Sequence, residues 1–223
     1  MAATSESRFR TVVRGVVRWI RSAPATYLWL SLLLVTTIVQ HIVSPGSLDD
    51  ILGRRSTNLA NLSEHPLRPM IARLFWLDGA YWVPYVVGFT VFLAVAERWL
   101  GTARFVAVGL AGHVLATLAS QGLLDLAIGH GRADPTLRDA IDVGVSYFMA
   151  AVIAVLAYRL LPPWRWVYAL VALATVITPF AVGAPDFTDA GHLIAMLIGF
   201  AMYPITRGRP RVQITRAWFR FRR

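Results

Sequence analysis

The 223-residue sequence has no cysteine and no lysine, and only 15% of its residues are charged. Without cysteine there are no disulfides, thiolate metal sites or cysteine nucleophile, so any chemistry must use Ser, His, Asp, Glu or Tyr. The charge deficit argues against a soluble single domain, which carries roughly 25% charged residues. Also missing is metal-ligand spacing around His41, His65 and His130, so no metal and no other cofactor is expected. No internal repeat of fixed period is visible and the two halves do not read as copies, which argues against a transporter built on inverted repeats.

What is present is apolar. Hydrophobic residues make up 57% of the chain and the mean hydropathy is +0.56. Six segments approach the ~20 residues that a membrane span needs: 25–43, then about 80–97, 102–122, 140–160, 164–183 and 188–205. This predicts an all-α membrane protein, a bundle of six transmembrane helices over residues 23–206. The polar stretch 44–73, interrupted by Pro45, Gly46, Pro66 and Pro69, reads as a long external first loop.

Ahead of the spans, Phe9, Val12, Val13, Val16, Val17 and Ile20 fall on one helical face and Arg10, Arg14, Arg18 and Arg21 on the other, the pattern of an interfacial amphipathic helix over residues 1–22. A signal peptide is the competing reading; the apolar run 25–43 is longer than its core and lacks a convincing cleavage site. The net charge of +10 would suit nucleic acid. Its arginines instead concentrate at the two ends and in the turns at Arg98/Arg104 and Arg159/Arg165, as expected of cytoplasmic segments, so both termini are placed in the cytoplasm and no nucleic-acid partner is expected. The tail 207–223, with Trp218, Phe219 and Phe221 among arginines, suits anionic lipid headgroups or simply fixes topology.

Polar residues inside spans are the candidates for function: Tyr81, Tyr85, His113, Ser146, Tyr147 and His192. Ser146 is expected about two turns into span four and His192 about one turn into span six, both spans starting outside, so the two can share a depth. A serine hydroxyl becomes a nucleophile when an imidazole takes its proton. Gly144 stands beside Ser146, and Gly191, Ala195 and Gly199 give span six a small-residue face for close helix approach. A reading without catalysis accounts for the same residues: serines bond back to their own helix and glycine faces pack helices. His113, among Gly109, Gly112 and Ala116, is expected to be a hydrogen-bonded structural histidine. Asp142, one turn before Ser146, is read as part of the span-four cap.

On these motifs the chain resembles the rhomboid family of intramembrane serine proteases. Gly144-Val145-Ser146-Tyr147 is similar to the family's Gly-x-Ser-x, and Ala190-Gly191-His192-Leu193 followed by Gly199 is similar to its span-six histidine motif. Counting back from Glu97-Arg98-Trp99-Leu100-Gly101 puts Arg68 at the arginine of the first-loop Trp-Arg motif, with Leu67 for the tryptophan. The segment Ser56–Leu62 looks like that of a divergent bacterial rhomboid-like subgroup.

The resemblance covers about residues 67–205 and implies a multi-pass protein of the bacterial cytoplasmic membrane. In it Ser146 would attack a peptide bond of a transmembrane-helix substrate, and His192 would act as base and acid. Tyr81 and Tyr85 stand where the family's oxyanion His-x-x-x-Asn falls; Gly144 and Tyr147 complete the oxyanion or substrate-binding set. Ala150 replaces the tyrosine that often stacks on the histidine. A noncatalytic rhomboid-fold protein that binds or escorts transmembrane helices is the rival reading, and a small-solute transporter or channel the third.

Overall fold

A computed structural model of the chain describes residues 2–77, 79, 81–183 and 185–213. Among these residues the protein is all-helical, with one isolated bridge between Leu160 and Val212. Helix α1 (Ala2–Arg21) leads into α2 (Pro24–Ile42), and three short helices, α3 (Pro45–Gly53), α4 (Leu59–Glu64) and α5 (Leu67–Ala72), build the first loop. Then come α6 (Trp82–Leu100), α7 (Thr102–Gly129), α8 (Ser146–Leu156, running on as a 3-10 turn to Arg159), α9 (Trp164–Val182) and α10 (Phe187–Ala201). By length and composition α2, α6, α7 and α9 are able to cross a membrane, while α8 and α10 are shorter apolar helices.

Local chemistry fixes the boundaries that hydropathy alone misses. Proline fits in a helix's first turn, where its missing N–H has no intrahelical acceptor to lose, and Pro84 accordingly places the start of α6 at Trp82. Tyr81 is left outside the helix, so Tyr81 and Tyr85 do not share a helical face. The second correction is at span four, expected from residue 140. Gly144 has a φ of +122°, a conformation an L side chain rarely adopts, and α8 begins only at Ser146. Helix α7, the third expected span, instead runs longer than expected, to Gly129, and carries Asp125 on its last turns.

The centre of the bundle is α8 held between α7 and α10 by missing side chains. A Cβ added at Gly109 would lie within 2.2 Å of three ring atoms of Phe148, one at Gly112 would lie 2.2 Å from the Ala151 Cβ, and one at Gly199 would lie 2.2 Å from the Ala151 carbonyl oxygen. Such contacts bring backbones close enough for dispersion to hold helices together where lipid removes the hydrophobic drive. An aromatic cluster continues the core toward α2: Trp29 meets Phe89 and Phe148 edge-on at 5.1 and 4.8 Å, and Phe105 meets Phe148 at 5.4 Å. Each pair adds about 0.5–1.5 kcal/mol beyond its burial. Helix α9 is peripheral, contributing Ala172 as its buried residue.

Buried polar groups tie the ends of the helices together. Both carboxylate oxygens of Glu97 accept from the start of α2, from the Ala25 N–H (3.0 Å), the Thr26 N–H (2.8 Å) and the Thr26 hydroxyl (2.7 Å), and Thr102 Oγ1 donates from the next helix at 2.8 Å. At the same end Arg98 stacks over Trp19 of α1 at 3.3 Å. The chain after α10 is pinned as well: the Val212 N–H donates to the Arg159 carbonyl (2.7 Å), and Trp99 Nε1–H donates to the Pro210 carbonyl (2.7 Å). The first part of the expected tail therefore packs on the bundle, whereas Trp218, Phe219 and Phe221 lie outside the described residues.

Candidate active site

Ser146 is the first residue of α8, half-buried, with Val145 as its N-cap. The first N–H groups of a helix have no intrahelical acceptor, and the first bond of this turn runs from the Met149 N–H to the Val145 carbonyl (3.0 Å). The backbone N–H of Ser146 therefore stands ahead of the ladder at a helix N-terminus, where developing negative charge is favoured.

His192, also half-buried, is the sixth residue of α10. The start of that helix is fixed by a reciprocal capping box between Asp186 and Asp189. Because α10 lays its small-residue face on α8, Gly191 abuts the Tyr147 ring, where an added Cβ would lie 2.2 Å from its Cζ and hydroxyl oxygen. The Tyr147 ring meets the His192 imidazole edge-on at 5.0 Å. Farther along the interface Ala195 packs in a small cluster with Ala116, Tyr147 and Ala150. Among the described residues no hydrogen bond joins Ser146 to His192; the side chain that touches the imidazole is the neighbour of the serine.

Against the Tyr147 ring lies a buried ion pair. Arg73 Nη1 and Nη2 donate to Asp142 Oδ2 and Oδ1, both at 2.8 Å, with the two side chains 1% and 4% exposed. Thr57 Oγ1 (3.0 Å) and Gln121 Nε2 (3.2 Å) also donate to Asp142 Oδ2, and Arg73 Nη1 reaches Thr57 Oγ1 at 2.6 Å. The guanidinium also covers the Tyr147 ring at 4.8 Å from its centroid. Neighbouring His113 is buried and donates its Nε2–H to the Met70 carbonyl (2.9 Å).

The remaining sequence candidates fall elsewhere. Tyr81 is 72% exposed, and Tyr85 packs against the aromatic core. Arg68 is exposed on the first loop; the buried arginine of that loop is Arg73, five residues on. Asp142 is not a helix cap but the partner of that arginine. Arg73 and Asp142 were the residues a sequence reading could have found, because each interrupts an apolar run, Ile71–Leu77 and Ala140–Val145, and an ionisable residue in such a setting calls for a partner.

Four membrane-length helices, two further apolar helices and a polar cluster buried among them define a multi-pass helical membrane protein. A family model described as "Rhomboid-like protein" matches residues 18–212. The chain belongs to this rhomboid-like family. No curated protein and no solved structure matches it.

Proposed function

We propose that this chain is a rhomboid-like intramembrane serine protease with Ser146 as nucleophile and His192 as general base and acid. The observation that carries the reading is the junction of α8 and α10. It puts Ser146 at a helix N-terminus, one residue from the side chain that touches His192. In the proposed reaction Ser146 Oγ attacks the scissile carbonyl carbon of an unwound transmembrane helix while His192 takes the hydroxyl proton. The Ser146 N–H stabilises the oxyanion. Collapse breaks the C–N bond, the amine leaves with the proton from His192, and water then hydrolyses the acyl-enzyme with His192 again as base. Catalytic hydrogen bonds commonly tighten only with substrate bound, which accommodates the open Ser146–His192 pair.

In this reading α8 and α10 join the four longer helices as a six-span domain over residues 23–206. Both termini lie in the cytoplasm, the membrane is the bacterial cytoplasmic one, and the arginine-rich ends face anionic headgroups. A second reading, a noncatalytic protein that binds transmembrane helices, is favoured by the lack, among the described residues, of a hydrogen bond from Ser146 to His192, whose ring meets Tyr147 instead. Reconstitution in liposomes with a panel of reporter transmembrane helices separates the two. The protease cleaves at least one reporter, and Ser146→Ala and His192→Ala both abolish cleavage; a helix-binding protein co-purifies with reporters left intact, equally well in Ser146→Ala.

A further inference from the structure

We infer that the Arg73–Asp142 ion pair is a positioning device that holds both arms of the candidate dyad, an inference that rests on the protease reading above. One arm is the chain entering α8. The Asp142 N–H donates to Ser56 Oγ (2.7 Å) and its carbonyl accepts the Thr57 N–H (3.0 Å), while the Gly144 N–H donates to the Arg73 carbonyl (3.2 Å). Arg73 thus grips this segment twice, by its guanidinium at Asp142 and by its backbone at Gly144, two residues before Ser146. The other arm is His192, reached through the Tyr147 ring that lies under the same guanidinium.

Stability alone gives no reason to bury such a pair, because well-packed apolar residues of similar volume serve a fold as well or better. What they cannot supply is direction. A guanidinium fork fixes its own plane against a carboxylate, and that plane has a face on which an aromatic ring rests. Arg73 and Asp142 are therefore positioning residues. Tyr147 transmits their hold to the imidazole through its ring rather than its hydroxyl.

The test is the kinetics of Ser146 labelling by a fluorophosphonate in wild type, the apolar double variant Arg73→Met/Asp142→Leu, Tyr147→Leu and Tyr147→Phe, each checked for folding by its unfolding midpoint. The double variant and Tyr147→Leu are expected to lose tenfold or more in maximal labelling rate at an unchanged half-saturating probe concentration. The conservative Tyr147→Phe is expected to restore the rate lost in Tyr147→Leu. Folded Tyr147→Leu and double variants labelling at the wild-type maximal rate, or Tyr147→Phe failing to restore it, overturn the inference and leave the protease reading standing. Should the double variant not fold, Tyr147→Leu decides. An unlabelled wild type removes the protease reading and the inference together.

Discussion

Ala151 lies between two glycines, and the two contacts differ in a way that predicts opposite outcomes of rescue. A Cβ at Gly112 meets the Ala151 Cβ at 2.2 Å, with its next neighbours, the Tyr147 carbonyl oxygen and the Ala151 Cα, at 3.5 and 3.6 Å. A Cβ at Gly199 meets Ala151 backbone atoms instead, the carbonyl oxygen at 2.2 Å and the carbonyl carbon and Cα at 2.8 Å. Each substitution leaves a gap more than ~1 Å short of an ordinary contact. Overpacking of this kind costs about 1–3 kcal/mol, offset by the ~0.8–1 kcal/mol that alanine gains over glycine within a helix. Gly112→Ala and Gly199→Ala should each therefore destabilise by up to about 2 kcal/mol. Ala151→Gly removes the obstacle to the first but not to the second. In double-mutant cycles read by equilibrium unfolding in one detergent, the 112/151 pair should show coupling of about 1 kcal/mol or more and the 199/151 pair almost none. Equal coupling in the two cycles would refute the packing described for α7, α8 and α10.

Glu97→Ala leaves four donors around a buried site without their acceptor, and a loss of about 2–4 kcal/mol in unfolding free energy is expected; Glu97→Gln should recover part of it. Arg73→Ala alone should cost about 3–5 kcal/mol by stranding the buried Asp142 charge, far more than the paired apolar replacement, as thermal unfolding of the two variants would reveal. At the start of α10 partial burial pushes the Asp186 carboxyl up, but hydrogen bonds from Thr188 and Asp189 outweigh it and hold it below the ordinary carboxylate range. A depressed folded value means the cap stabilises above the ordinary range near ~4 and its contribution is lost as pH falls through the folded value. Protection factors over 187–190, taken relative to the intrinsic exchange rate at each pH, should therefore fall on acidification in wild type. In Asp186→Asn, which still caps, that change should be absent; identical acid responses in both would count against the cap.

Long apolar runs were legible because their ends carry chemical punctuation. Spans expected at 25–43 and 164–183 appear as Pro24–Ile42 and Trp164–Val182, each bounded by proline or glycine. The starts of α6 and α8 were missed for one physical reason: hydropathy reports burial, whereas Pro84 and the positive φ of Gly144 act on the backbone. Counting from Glu97 fixes a sequence distance and leads to Arg68, which is exposed, whereas the first-loop arginine that meets Asp142 is Arg73, a pairing only the fold creates. Tyr147 stands beside Ser146 in the sequence, but its place against His192 depends on the absence of a side chain at Gly191, a pairing across two helices that no local pattern encodes.

The protease reading turns on whether Ser146 is an activated nucleophile. The most direct measurement is mass-spectrometric mapping of a fluorophosphonate adduct on the liposome-reconstituted protein. An adduct on Ser146 is expected in wild type and is expected to be absent in both Ser146→Ala and His192→Ala. A folded wild type without an adduct at Ser146, under conditions in which an active rhomboid protease is labelled, would contradict the protease reading.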